Sequence, residues 1–93
     1  MSMNTIYKYR LSVQDRQEIC IPSGASLLSV QMQNGTPCLW ALVNTGNPLE
    51  EVVIRMYGTG HEVTNPDSLE FIGTFQYVEY GLVYHVFKEI QDN

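Results

Sequence analysis

The sequence predicts an all-β protein, a single-domain antiparallel sandwich or open barrel of about seven short strands. Three observations support this prediction. The apolar stretches are short and rich in β-branched and aromatic residues, turn residues such as "PSG", "NTGNP" and "EYG" separate them, and an Asn-Gly pair joins two of them. With 93 residues, the chain is long enough for one domain over residues 1–93.

In chain order, the predicted strands cover residues 5–11, 16–22, 25–33, 36–44, 50–58, 69–78 and 82–90. The first, "TIYKYRL", places Tyr7 and Tyr9 on one face and Lys8 and Arg10 on the other. Charges on such a strand are typical of a protected sheet edge. The second, "RQEICIP", alternates isoleucine with more polar or smaller side chains, which favours a half-buried strand.

The third and fourth strands form a hairpin around Asn34-Gly35, a pair that suits the two positive-φ positions of a type I′ turn. A two-residue loop fixes the register. It pairs Gln33 with Thr36, Gln31 with Cys38, Ser29 with Trp40, and Leu27 with Leu42. The opposite face is fully apolar and is predicted to be core: Leu28, Val30, Met32, Leu39, Ala41 and Val43.

Trp40 stands on the mixed face of this hairpin, as a large ring among hydrogen-bonding side chains. Another part of the fold, a second subunit or a ligand must cover it. We expect a homo-oligomer, with an interface that contains Gln31, Gln33, Cys38 and Trp40. Cover from within the monomer is the alternative.

The fifth strand, "EEVVIRMYG", and the sixth, "LEFIGTFQYV", are dense in β-formers. The last segment, "LVYHVFKEI", is long enough for a helix. Its valines and aromatic residues favour a strand instead.

The charge of the chain restricts its partners. The formal net charge is −5 and the isoelectric point about 4.7, from five basic and ten acidic residues. Double-stranded nucleic acid is therefore not an expected partner, because its binding depends on neutralising phosphates. A small anionic ligand needs only one or two cations and some N–H donors.

The chain shows no apolar segment of a length that signals secretion or a membrane span. We therefore expect a cytoplasmic protein without membrane contact, in which Cys20 and Cys38 are reduced. Residues 1–4 are expected to be disordered or to include residues that precede the native start.

Residues 57–63, "YGTGHEV", suggest an anion-binding loop, because glycines flanking a hydroxyl residue can direct backbone N–H groups at one point. A guanidinium and a phenol precede the loop on one strand face. The candidate ligand-binding residues are Arg55, Tyr57, Thr59, Gly60 and His61. The alternatives are an ordinary turn that ends a strand, and an ion pair between Arg55 and a nearby glutamate.

Enzymatic chemistry is not indicated. His61, His85 and the two cysteines lack the spacing of metal ligands, and no serine occupies a Gly-x-Ser-x-Gly elbow. Glu50 and Glu51 point to opposite faces of a strand, which makes them poor candidates for a carboxylate pair. We expect no catalytic residue, no metal and no cofactor.

The blocks "LLSVQMQNGTPCLWALVN", "VIRMYGTGHEV", "IGTFQ" and "LVYHVF" resemble a family of small phage and prophage proteins of unknown function. The resemblance covers nearly the whole chain. It implies an accessory gene that is expressed inside an infected bacterium. No activity is assigned to the family, so no catalytic residue transfers.

Small phage accessory proteins often antagonise host defence. We therefore expect a non-enzymatic binding protein that sequesters a small anionic, nucleotide-like ligand. One alternative is an inhibitor whose acidic surface blocks a basic host protein, and another is a minor structural or assembly component.

Overall fold

The computed structural model describes residues 2–91 as seven strands in two antiparallel sheets. The strands are β1 Asn4–Arg10, β2 Arg16–Pro22, β3 Ser26–Gln33, β4 Thr36–Asn44, β5 Leu49–Gly58, β6 Leu69–Tyr77 and β7 Leu82–Glu89. Two 3-10 turns, Pro66–Ser68 and Val78–Tyr80, flank β6. The all-β prediction is confirmed, and the last segment is a strand.

The two sheets do not close into a barrel. The three-stranded sheet has the order β1-β4-β3, and the four-stranded sheet has the order β2-β5-β7-β6. Strands β1 and β2 therefore belong to different sheets, and residues 11–15 carry the chain from one to the other. Edge strand β1 is the charged strand that the sequence predicts at an edge.

One hydrophobic core lies between the sheets and draws on both. Its buried members are Leu11, Ile21, Val30, Leu39, Val52, Ile54, Met56, Phe75 and Val86. In β5, three apolar side chains at alternate positions are buried, as a half-buried strand requires.

The main contact between the two sheets is made by β3 and β6. A Cβ atom at Gly73 would lie 3.3 Å from the backbone nitrogen of Val30, so glycine permits this contact. The register shifts in both strands near this point, between Leu27 and Ser29 in β3 and between Phe71 and Gly73 in β6. Such bulges bend a strand and increase its twist.

The β3–β4 hairpin has the predicted turn, with φ values of 52° at Asn34 and 80° at Gly35. The predicted pairs of Gln33, Gln31 and Ser29 with β4 are confirmed. Beyond them the prediction is wrong by one residue, because the bulge lies at Leu28. Leu27 therefore pairs with Ala41 and faces the core, and Leu42 pairs with Ser26.

This bulge also overturns the placement of Leu28 in the core. Its side chain is 47% exposed, whereas Val30, Leu39, Ala41 and Val43 are buried. Met32 is half-buried against the core. A bulge inserts one residue into the alternation, so every position before it changes face.

The description of the chain begins at residue 2, just before the first strand. Asn4 is the first residue of β1, and Met3 exchanges hydrogen bonds with Thr45. Residue 1 lies outside the described residues. Within residues 2–91, no helix has the length and apolar character to cross a membrane.

Candidate functional site

The glycine loop predicted to bind an anion is a tight turn closed by its own backbone. The His61 N–H donates to the Gly58 carbonyl at 3.1 Å, and Gly60 has a φ of +90° at the third position of the turn. The Thr59 N–H donates to the Val83 carbonyl at 3.2 Å. Two of the amide donors that an anion would need are thus already used.

Arg55 is held by acceptors within the protein. Its Nη1 lies 3.2 Å from Glu89 Oε2, and its Nε donates to the Asp15 carbonyl at 3.1 Å. The guanidinium carbon also lies 5.5 Å from the centre of the Tyr57 ring. The ion pair with a glutamate, the alternative given for Arg55, is therefore what the structure contains.

Tyr57 is only 8% exposed, so its ring offers little surface for stacking a ligand. It packs edge-on against Phe87, with ring centres 5.9 Å apart. Its buried hydroxyl has no hydrogen-bond partner within the described part of the chain.

Thr59 is bound to His85. The Thr59 hydroxyl lies 2.9 Å from His85 Nε2, and the Thr74 hydroxyl lies 3.0 Å from Nδ1. A neutral imidazole has one donor and one acceptor nitrogen, and the two hydroxyls can satisfy both.

The five predicted ligand-binding residues do not line one common pocket in the structure. Thr59 and His61 border a shallow pocket of about 250 Å³, whose other side is formed by residues 81–84. Arg55 and Tyr57 are not among its lining residues. The charge and the ring of the predicted site therefore do not join the loop residues in this pocket.

A different cationic surface lies on the outer face of the three-stranded sheet. Strands β1, β3 and β4 contain Lys8 and Arg10 but no Asp or Glu. Lys8 pairs with Trp40, and Arg10 pairs with Cys38, so both cations share the face of the tryptophan. We call this surface the Trp40 face.

A pocket of about 160 Å³ opens at one end of the Trp40 face. Its lining residues are Lys8, Arg10, Gln33, Asn34, Thr36 and Cys38. Lys8 Nζ donates to Gln33 Oε1 at 2.7 Å, a bond to a neutral group, and within residues 2–91 Lys8 forms no ion pair. A pocket with two cations and hydroxyl and amide groups, but no carboxylate, is suited to an anion.

Three apolar side chains extend the Trp40 face away from this pocket. Ile6, Leu28 and Leu42 are each more than two-fifths exposed, and Ile6 and Leu42 are a cross-strand pair. Trp40 is half-buried next to the small Ser29 side chain. The face therefore combines an apolar half with a cationic half.

The residues predicted for a self-association interface have mixed positions. Gln31 and Gln33 are exposed and Trp40 is half-buried, as an interface requires. Cys38, however, is only 1% exposed and lies between its cross-strand neighbours Arg10 and Gln31. Its thiol cannot contact a partner unless these long side chains move.

Lys8 and Arg10 are the residues that sequence reasoning did not connect with Trp40. The lack of acidic residues in three of the strands is visible in the sequence. That these strands form one sheet is not, because β1 pairs with β4, a strand distant along the chain. Within residues 2–91, no group of three or more His, Cys, Asp or Glu side chains is arranged to hold a metal ion.

Fold and surface together define a small two-sheet β-sandwich with one open, cationic and partly apolar face. The chain belongs to a family described as a domain of unknown function (DUF7352), whose family model matches residues 3–93. No match was found among curated proteins or among solved structures.

Proposed function

We propose that this protein is a non-enzymatic binding protein that holds a small anionic, nucleotide-like ligand on the Trp40 face. The observation that carries the proposal is the carboxylate-free pocket containing Lys8 and Arg10, directly beside the single tryptophan of the chain. The proposal keeps the ligand class expected from the sequence and moves the site from Arg55 to another sheet.

The pocket is suited to the phosphate group of such a ligand. Its volume of about 160 Å³ is below the roughly 300 Å³ at which pockets begin to enclose a whole drug-sized molecule. Lys8 would act as a point charge and Arg10 as a two-pronged donor. The amide of Gln33 and the hydroxyl of Thr36 would supply further hydrogen bonds.

The base of the ligand would then lie outside the pocket, over Trp40. Lys8 and Trp40 are direct cross-strand neighbours, so their Cβ atoms are about 4.5–5.5 Å apart. Stacking of a base on an aromatic side chain contributes about 1–3 kcal/mol. Ser29 on the other side of Trp40 is small, and Trp40 itself is only half-buried, which leaves room for a base to stack on it.

Arg55 supports this role less well. A ligand phosphate at Arg55 would have to displace the Glu89 carboxylate, which already lies 3.2 Å from the guanidinium. The nearest loop amides, those of His61 and Thr59, already donate to the carbonyls of Gly58 and Val83.

Fluorescence of Trp40 tests the proposal, because it is the only tryptophan. Titration with adenosine monophosphate should change the emission, and uncharged adenosine should do so more weakly. Removing a hydrogen bond to a charged group costs about 1.5–3 kcal/mol, so Lys8→Gln and Arg10→Gln should each weaken binding roughly tenfold or more.

Arg55→Gln and Lys88→Gln are matched controls, since each removes one positive charge away from the Trp40 face. Both should bind the nucleotide as the unmodified protein does. Loss of binding in Arg55→Gln alone would return the site to the glycine loop. If a panel of mononucleotides and cyclic dinucleotides leaves Trp40 emission unchanged, the ligand class is wrong.

A second candidate function is the blocking of a host protein, which the exposed Ile6, Leu28 and Leu42 beside Trp40 favour. Such a partner would present apolar groups with acidic residues toward Lys8 and Arg10. Native mass spectrometry of protein taken from cells would distinguish a retained small molecule from a captured protein. A protein captured through this face should be lost in Leu42→Ser.

The biological setting of the proposal comes from the resemblance to small phage and prophage proteins. In that setting the ligand would be a nucleotide signal of the host, and its sequestration would counteract host defence. Comparing the survival of defended cells that express the unmodified protein or Lys8→Gln tests this part.

A further inference from the structure

We propose that the free edge of β1 pairs with β1 of a second copy of this chain, joining two three-stranded sheets into one six-stranded sheet. The inference rests on backbone geometry and is independent of the ligand proposed above. It differs from self-association through the Trp40 face, because the contact is made by the strand edge.

The backbone groups of β1 divide cleanly between its two sides. The Leu11 N–H donates to the Pro37 carbonyl and the Thr45 N–H to the Met3 carbonyl, and both pairs continue the register of β1 with β4. In an antiparallel ladder, hydrogen-bonded pairs alternate with non-hydrogen-bonded ones. Odd-numbered residues of β1 thus bond to β4, and even-numbered residues direct their N–H and C=O groups outward.

The outward groups belong to Asn4, Ile6, Lys8 and Arg10. One antiparallel register uses all of them, with Asn4 opposite Arg10 of the second copy, Ile6 opposite its Lys8, and Tyr7 opposite its Tyr7. This register aligns all seven residues of the strand and places no cation directly opposite a cation. A register shifted by two toward the C-terminal end would place Lys8 against Lys8, which is unfavourable.

Tyr7 provides a second, side-chain observation. It shares the core-facing side of β1 with Tyr9, since their β4 partners are the buried Ala41 and Leu39. Tyr7 is nevertheless 41% exposed. In the proposed register the two Tyr7 side chains meet in a close, non-hydrogen-bonded pair at the two-fold axis, where aromatic pairs stabilise a sheet.

Each of the other three edge strands contains a proline or a bulge that obstructs pairing, whereas β1 contains only two charged side chains. In β2, Asp15 and Ser23 form hydrogen bonds with β5, so the odd-numbered residues bond to β5 and the even-numbered residues face outward. One of the outward residues is Pro22, which has no N–H to donate. β3 and β6 contain the two bulges. β1 pairs with β4 over seven consecutive residues without a register shift. The two charges of β1 disfavour only those registers that place one cation opposite another.

Sedimentation velocity of the full chain up to about 1 mM tests the proposal, with a concentration-dependent dimer expected. Ile6→Pro removes one outward N–H and no bond to β4, so it should raise the dimer dissociation constant on the order of tenfold or more. Glu18→Pro is the matched control, because it makes the same change at the β2 edge and should leave the dimer intact.

A purely monomeric unmodified chain at all concentrations would overturn the inference, as would a dimer unaffected by Ile6→Pro. Should Ile6→Pro not fold, Tyr7→Lys tests the same contact. Position 7 is exposed, and the substitution places two lysines opposite each other at the two-fold axis, so it should weaken the dimer. Tyr7→Phe should retain the dimer.

Cross-linking determines the register. The Cα atoms of a non-hydrogen-bonded pair are about 4.5 Å apart, within the range that a disulfide spans. In a Cys20→Ser background, Tyr7→Cys should form a disulfide-linked dimer under mild oxidation. Thr5→Cys should not, because its opposite residue is Tyr9 of the second copy. Equal cross-linking of the two variants would exclude the proposed register.

Discussion

The side chain of Tyr9 lies half-buried on the core-facing side of edge strand β1, and this position affects its acidity. Burial raises the pKa of Tyr9 above the ordinary value of 10.0, and the neighbouring Tyr7 raises it further. The two rings are in edge-on contact, with centres 6.3 Å apart. Folding therefore favours the protonated phenol.

The first prediction is a loss of stability in alkali that depends on Tyr9. In the unfolded chain Tyr9 ionises near pH 10.0, below its folded pKa, so the unfolded state loses its proton first. The contribution is complete below pH 10 and decreases as the pH rises through the folded pKa. Urea unfolding at pH 9 and pH 11 should show a smaller decrease in Tyr9→Phe. An equal decrease in both proteins would contradict the assignment.

At the scale of the element, the two-residue turn between β3 and β4 fixes the register of the hairpin next to it. Gly35 has a φ of 80°, and a Cβ atom added to it would meet no other atom within 4 Å, so only its backbone conformation restricts substitution. Gly35→Val should lower the free energy of unfolding by about 1 kcal/mol or more, because β-branched residues resist positive φ. Thr36→Val, one residue further on, is the control. Denaturant titration that gives equal midpoints for Gly35→Val and the unmodified protein would show that the turn relaxes at little cost.

The sequence predicts strands and turn chemistry well because both depend on neighbouring residues. The bulge at Leu28 was missed because it coincides with the contact of β3 and β6, residues distant in sequence. For the same reason, the sequence predicts an ion pair between Arg55 and a glutamate but does not identify the glutamate as Glu89. The proximity of Lys8 to Trp40 required knowing the strand order.

At the scale of the molecule, one core joins the two sheets, so they should unfold together. Ile54 is fully buried in the four-stranded sheet, while Trp40 lies in the three-stranded sheet. Ile54→Ala should cost about 2–5 kcal/mol, a large part of the roughly 5–15 kcal/mol that stabilises a domain. Trp40 fluorescence and far-UV circular dichroism should shift to the same lower denaturant midpoint.

Val53→Ala is the control for this experiment, because Val53 lies on the opposite face of β5 and is only half-buried. It should cost much less. A Trp40 signal that keeps its original midpoint in Ile54→Ala would mean that the three-stranded sheet folds on its own.

The separation of charge between the sheets also gives the protein a permanent electric dipole. The strands of the three-stranded sheet carry +2 and those of the four-stranded sheet carry −2, and a further −5 on the connecting segments and the C-terminal residues brings the whole chain to −5. A positively charged support should therefore hold the protein by its acidic side and orient the molecules alike. Immobilised in this way on an anion-exchange surface, the protein would turn the tryptophan and its two cations toward the solution.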